Sequence, residues 1–234
     1  MEKTEIKVLF EDTDIIALNK PQGVLSIEGG YNPQEFNLRS FLREKYGDIW
    51  AVHRLDRLTS GVIVFAKNSR AHRILNEQFS NRTIKKEYRA VVHGSPFWEE
   101  KVITLPLLVD GDRKHRTIYE EKNGNAAETL VKIIAKQDTK SYLSIFPKTG
   151  FTHQIRSHLS LIGMPIIGDH LYGRFVHLDH ESNKKTVKNP ENFYLHACRI
   201  IFSHPSTSES IEIRADLPEY FEILLIIRDL AVDC

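Results

Sequence analysis

Asp56 stands in the segment HRLDRLTSG, between Arg54 and Arg57 and ahead of the turn formers Thr59, Ser60 and Gly61. A carboxyl of this type titrates near ~3.9, and a neighbouring guanidinium lowers that further, so an anion is expected at pH 7. Such a group suits a nucleophile better than a general acid. The same residues also fit a plainer role, a carboxylate that caps its turn and pairs with an arginine at the surface. A second cluster lies in PKTGFTHQIRSHLSLIG, where Thr149 and Gly150 form a turn. His153, Arg156 and Ser160 line one side of the helix that follows, opposite Ile155 and Leu159. That side could meet a phosphate or a carboxylate, or be an ordinary solvated face.

Other chemistries find little support. Eleven histidines invite a metal reading, yet His153 and His158 are five apart and diverge on a helix. The nearest alternative is HLDH at 177 to 180, in a polar insertion, and no metal site is expected. His53-Arg54 begins like a kinase catalytic loop, but Leu55 interrupts it, and neither a Gly-rich phosphate loop nor Asp-Phe-Gly occurs. A carboxylate pair for glycoside hydrolysis stays open, because the second acid can come from anywhere in the chain. The two cysteines, Cys198 and Cys234, offer neither a disulfide framework nor a CxxC site.

The elements that must position these residues alternate irregularly, which reads as α+β. Residues 6 to 10 and 14 to 18 are short apolar strand candidates, and Pro21 and Gly23 in NKPQGVL then supply a turn. Leu38 to Tyr46 reads as a short helix. VIVFA (62 to 66) is a run suited to a buried strand, so Asp56 sits in a loop feeding the core. Ala71, Ile74, Leu75 and Phe79 predict a helix from Ser69 to Phe79, capped by Asn68 or Ser69. KEYRAVVHG returns as a strand with Tyr88, Ala90 and Val92 on one face. Strands follow at 128 to 134 and 142 to 146, then a helix from Thr152 to Ile162 that buries Ile155, Leu159 and Ile162 and stops at Gly163. Strands at 196 to 203 and 210 to 214 precede a last helix opened by Asp216, Pro218 and Glu219, with Phe221, Leu224 and Leu225 in the core.

With 234 residues, 41% hydrophobic and 27% charged, the chain has a globular composition, and a single domain over 1–234 is expected. A net charge of +1 does not announce a nucleic-acid binder, so such a role needs local clusters. RTIKKEYR (82 to 89), DRKHR (112 to 116) and KKTVK (184 to 188) supply them, although each alone is commonly a solvated loop. No apolar run approaches the ~20 residues that span a bilayer, and MEKTEIKVLFEDTD is too acidic for a signal peptide, so a cytoplasmic protein is expected.

HRLDRLTSGVIVFAK, KKEYRAVVHG, TGFTHQIRSHL and IIGDHLYG, in this order, together resemble the RluA-type RNA pseudouridine synthases. NKPQGVL, NGNAAETL and LHACRIIFSHP extend the resemblance over nearly the whole chain, and seven motifs in order are specific where one is weak. The resemblance implies the catalytic fold of that family, with a mixed, mainly antiparallel central sheet flanked by helices. It implies an enzyme that isomerises uridine in tRNA or rRNA, with no cofactor, no metal and no obligate protein partner. Asp56 matches the aspartate that attacks the target uridine, at ribose C1′ or at C6 of the base; both routes stay open.

By the same resemblance, Tyr88 stacks on the uracil and can assist loss of the C5 proton, and Arg156 pairs with Asp56 and keeps it charged. Without the resemblance, Tyr88 reads as a buried strand tyrosine. Arg54 fits the arginine that helps hold the target nucleotide out of the RNA helix. Lys86 and His153 are further candidates for substrate contact, His53 for support of the loop, and Leu195 for the pocket wall. Phe151 departs from the pattern, standing where the family often has an arginine. The chain also begins at the catalytic domain, with no S4-like module expected. Holding Asp56, Tyr88 and Arg156 together argues against a non-catalytic RNA-binding domain, since binding a polyanion does not require a carboxylate.

Overall fold

In chain order the strands and helices are β1 (Lys7–Glu11), β2 (Ile15–Lys20), α1 (Leu38–Tyr46), β3 (Trp50–Ala51), β4 (Ser60–Ala66), α2 (Ser69–Ser80) and β5 (Lys85–His93). There follow β6 (Glu100–Ile103), β7 (Leu107–Leu108), β8 (Ile118–Tyr119), β9 (Thr129–Gln137), β10 (Lys140–Pro147), α3 (Gln154–Leu161), β11 (Leu195–Ser203) and β12 (Ser210–Arg214). The structure is a computed structural model and describes residues 6–29, 32, 34–173 and 192–221. The fold is α+β, and among the described pairings β4 with β11 is parallel while the others named below are antiparallel. The chain divides into two units, Met1–Glu87 with His196–Leu217 and Tyr88–Leu195 with Pro218–Cys234.

In the first unit β2 pairs with β1 on one side and β4 on the other, in a register that sets Ile15 opposite Ala66 and Lys20 opposite Gly61. β4 then meets β11 through His196↔Ser60 and Ala197↔Gly61, and β11 pairs with β12. All seven residues of β4 are buried, as its β-branched run predicts. Gly61 is required where β4 meets β11: its φ is +108°, and a Cβ there would lie 2.2 Å from the carbonyl oxygen of Ala197. Helix α2 closes the core with Ala71 and Leu75 against Ile15, Val62, Val64, Ile200 and Phe202. Its cap is Asn68, whose side chain accepts the Ala71 N–H at 2.8 Å.

In the second unit β10 lies between β5 and β9, and β6 follows β9, while β7 and β8 form a separate hairpin. The basic loop DRKHR joins that hairpin, and its charges are partly paired within the loop, Arg116 with Asp112 and His115 with Asp110.

Helix α3 departs from expectation. It is shorter than 152–162, because His153 adopts a left-handed conformation (φ 55°) and caps the helix without joining it. Ile162 is its C-cap and half-buried, and Gly163 follows at φ +77°. The side with Arg156 and Ser160 is not solvated: Gln154, Arg156, Ser157, His158 and Ser160 are all buried, and Leu161 is the exposed residue at 44%. Spacing alone leaves that side open to solvent or to a carboxylate, and the fold supplies partners for Gln154, Arg156, His158 and Ser160. His158 Nε2 faces the Leu105 carbonyl and Nδ1 faces the Thr129 hydroxyl, which also accepts from Gln154. Ser160 donates to the Tyr172 carbonyl. Residues 219–221 begin a helical turn with Phe221 buried, whereas Leu224, Leu225, HLDH and KKTVK lie outside the described residues.

Candidate active site

Asp56 is half-buried in the loop between β3 and β4, and the backbone around it is fixed from outside the loop. The turn NKPQGVL supplies much of the support. Gly23, at φ +85°, donates its N–H to the Arg57 carbonyl at 2.9 Å. The Lys20 ammonium, fully buried, donates to the carbonyls of Pro21, Val24 and Arg57 at 3.1, 2.7 and 2.9 Å. Burial pushes the Lys20 pKa down to about 7, against the pull of the nearby Asp56 carboxylate. Within the loop, Thr59 N–H donates to the Asp56 carbonyl at 3.1 Å.

Arg54 is exposed and so accessible to a polyanion, whereas Arg57, also exposed, is engaged within the chain, donating from Nε to the Gly23 carbonyl and pairing with Glu35 at 2.8 Å. His53 is engaged within the fold. Its ring stacks on Phe79 at 5.0 Å, and its Nε2 accepts the Val64 N–H at 3.0 Å, so the ring proton belongs on Nδ1. Burial, with a smaller effect of the Lys86 charge, holds the His53 pKa down to about 3, and burial lowers Lys86 itself to about 8. Lys86 is thus an amine that sheds its charge more readily than a surface lysine.

The second unit holds the other candidates. Tyr88 is half-buried on β5, opposite Ile145 of β10, and beside it Arg89 donates to the Ser144 hydroxyl at 2.8 Å. Arg156, 6% exposed, donates from Nε and Nη2 to the two carboxylate oxygens of Asp169 at 2.8 and 3.0 Å. This is a bidentate contact that fixes the guanidinium plane. The guanidinium also lies 5.0 Å from the ring centroid of Tyr172 and 5.3 Å from that of Phe193. Asp169 is held in turn, its Oδ1 accepting the N–H groups of Leu171 and Tyr172 at 3.0 Å each.

Tyr172 ties further segments to this arrangement. Its hydroxyl accepts the Thr117 N–H at 2.7 Å and lies 3.2 Å from His153 Nδ1, and burial raises its pKa. Leu195 is 3% exposed at the start of β11. Phe151 is half-buried, and its N–H donates to Gln154.

The structure therefore gathers Asp56 with Lys20, and His53 with Lys86, in the first unit, and Arg156 with His153, Asp169 and Tyr172 in the second. Asp169, Tyr172 and Lys20 were visible only as letters of IIGDHLYG and NKPQGVL, and Phe193 carried no signal. Among the described residues no group of three or more His, Cys, Asp or Glu is gathered in a way that could hold a metal ion. No helix among them is long and apolar enough to cross a membrane.

Comparison with known proteins gives consistent matches. The family described as RNA pseudouridylate synthase matches residues 14–161, a stretch that includes Asp56, Tyr88 and Arg156. The chain is 35% identical over 205 residues to the dual-specificity RNA pseudouridine synthase RluA of Vibrio parahaemolyticus, covering 86% of this chain and 78% of that protein. It is 33% identical over 234 residues to tRNA pseudouridine synthase C of Haemophilus ducreyi, with 94% of each covered. Against ribosomal large subunit pseudouridine synthase C of Pasteurella multocida it is 36% identical over 232 residues, covering 96% of this chain and 69% of that one. In fold it is similar to human RNA pseudouridylate synthase domain containing 4, with a TM-score of 0.74 at 24% identity over 94% of this chain and 91% of that one.

Proposed function

The chain belongs to the RNA pseudouridylate synthase family, and from that membership we propose that it converts uridine in tRNA or rRNA to pseudouridine with Asp56 as the nucleophile. The observation that carries the assignment of Asp56 is its setting, a carboxylate on a loop fixed by Lys20 and Gly23 and next to the exposed Arg54. A nucleophile needs that fixity, because reaction depends on holding the attacking atom close to its target. The reading requires Asp56, Tyr88 and Arg156 to serve one uridine, so that 1–234 acts as a single catalytic domain.

In the reaction Asp56 attacks the nucleotide at C1′ or at C6, and the N1–C1′ bond breaks. The freed uracil turns in place and C5 bonds to C1′; the bond from Asp56 to C1′ or C6 breaks and returns the carboxylate, the C5 proton leaves with Tyr88 assisting, and N1 takes up a proton. The product has the atoms of the substrate, so no oxidant, reductant or cofactor enters the balance. Arg156, its plane set by Asp169, serves the Asp56 carboxylate as counter-ion, and Arg54 and Lys86 meet the RNA. RNA is the partner and the cytoplasm the place of work.

RNA carrying tritium at uracil C5 tests the reading. Wild-type protein should release tritium from tRNA or rRNA, and Asp56→Ala should release none above background. Release that survives the substitution removes Asp56 from the chemistry, and absence of release by the wild type on both RNAs turns the reading towards RNA binding without catalysis.

A further inference from the structure

Leu55, the residue before Asp56, is 5% exposed and has an unusual backbone partner. The hydroxyl of Ser26, 3% exposed, donates to the Leu55 carbonyl at 2.8 Å and accepts the Leu55 N–H at 3.1 Å. One side-chain oxygen thus provides the donor and the acceptor that a neighbouring strand's backbone would provide. Ser26 is itself anchored. The N–H groups of Leu38 and Arg39, in the first turn of α1, donate to the carbonyls of Leu25 and Ser26 at 3.0 and 3.2 Å. The next turn of chain is held by the same helix, as Ser40 and Arg39 both donate to the Glu28 carboxylate.

These bonds form a continuous mechanical path from the start of α1 through Ser26 to Leu55, ending one residue short of the carboxylate. The far flank is closed by a separate buried bond, Ser60 Oγ donating to His196 Nδ1 at 2.8 Å while His196 Nε2 donates to the Ala215 carbonyl. We propose that Ser26 is a positioning residue for catalysis, setting the height of Asp56 by holding the Leu55 peptide. The proposal rests on the uridine-isomerase reading given above. It follows from geometry: the Leu55 carbonyl lies in the peptide plane that reaches the Asp56 Cα, and the Leu55 N–H in the plane before it, so freedom at either becomes displacement of the Asp56 side chain. A displacement of about 1 Å at a reacting group costs rate on the order of a hundredfold.

The test compares wild type with Ser26→Ala, Ser26→Cys and Ser26→Thr by tritium release under saturating and limiting RNA, with amide exchange at Leu55 measured in each. Ser26→Ala is expected to lower kcat ~10–100-fold with KM for RNA within about twofold, and to speed exchange at Leu55. Ser26→Cys keeps the shape but is a poor hydrogen-bonding partner and should follow Ala, whereas Ser26→Thr keeps the hydroxyl and should recover most of kcat. A purely structural role predicts a lower melting temperature with unchanged kcat per folded molecule, and that result overturns the proposal, as does a rise in KM matching the loss in kcat/KM. If Ser26→Ala does not fold, Ser26→Cys decides by the same split. Loss of tritium release in the wild type counts instead against the isomerase reading, and wild-type release undiminished in Ser26→Ala or Ser26→Cys counts against Ser26 alone.

Discussion

The loop that carries Asp56 and the helix that carries Arg156 are both fixed by buried polar groups, but by opposite means. Around Asp56 the supports grip backbone: Ser26 holds the peptide groups of Leu55, and Lys20 and Gly23 hold the carbonyl of Arg57. Arg156 is gripped by its own functional group, through two bonds to Asp169 and the faces of Tyr172 and Phe193. A nucleophile must change its bonding during the reaction, and support given to the backbone does not consume the reacting oxygens. At Arg156 the bidentate partner keeps a constant charge in a constant place. The energetic consequences differ, since losing a support of Asp56 leaves neutral groups unsatisfied, whereas losing Asp169 removes the bidentate partner of a buried charge.

The largest stability effect should therefore fall on Asp169. Asp169→Ala leaves the 6%-exposed Arg156 without its bidentate partner and should lower unfolding free energy by about 3–5 kcal/mol, measured by urea denaturation. A loss under about 1 kcal/mol would erase the contrast between charge-held and backbone-held groups. Lys20→Met should cost less, about 1–3 kcal/mol, because three carbonyls lose a donor while a buried cation is also removed.

Lys20 also carries a pH signature. Burial holds its pKa at about 7, below the usual 10.5, so between those values the unfolded chain binds the extra proton. Its contribution to stability is therefore least favourable below pH 7 and improves as pH rises from 7 to 10.5. Wild type minus Lys20→Met, followed by denaturation at several pH values, should show that slope; a flat difference means the amine is not so perturbed. The smallest effect sets the scale for a merely local bond. Asn68→Ala removes the α2 cap and should cost about 1 kcal/mol in denaturation with kcat unchanged, and a fall in kcat there would mean that stability and positioning do not separate in the first unit.

Where a signal is local, it could be read from the chain. Helix α2 runs from the Ser69 that the apolar spacing picked out, and its Asn68 cap works as capping chemistry predicts. β4 is buried throughout because five consecutive apolar residues have no polar face to offer water. On helix α3 the side with Arg156 and Ser160 fits either a solvated face or one that meets a carboxylate, and only the tertiary partners, Asp169 for Arg156 and the Tyr172 carbonyl for Ser160, decide for burial.

By itself the sequence determined the family, the α+β class and the identity of Asp56, Tyr88 and Arg156 as the residues to ask about, because motifs and hydrophobic spacing are properties of neighbours along the chain. The tertiary structure alone decided what holds them. Ser26 lies 29 residues from Leu55, and Asp169 lies 13 from Arg156. A hydrogen bond across such a separation leaves no periodic trace in either segment, since it depends on where two elements come to rest and not on what stands beside each residue.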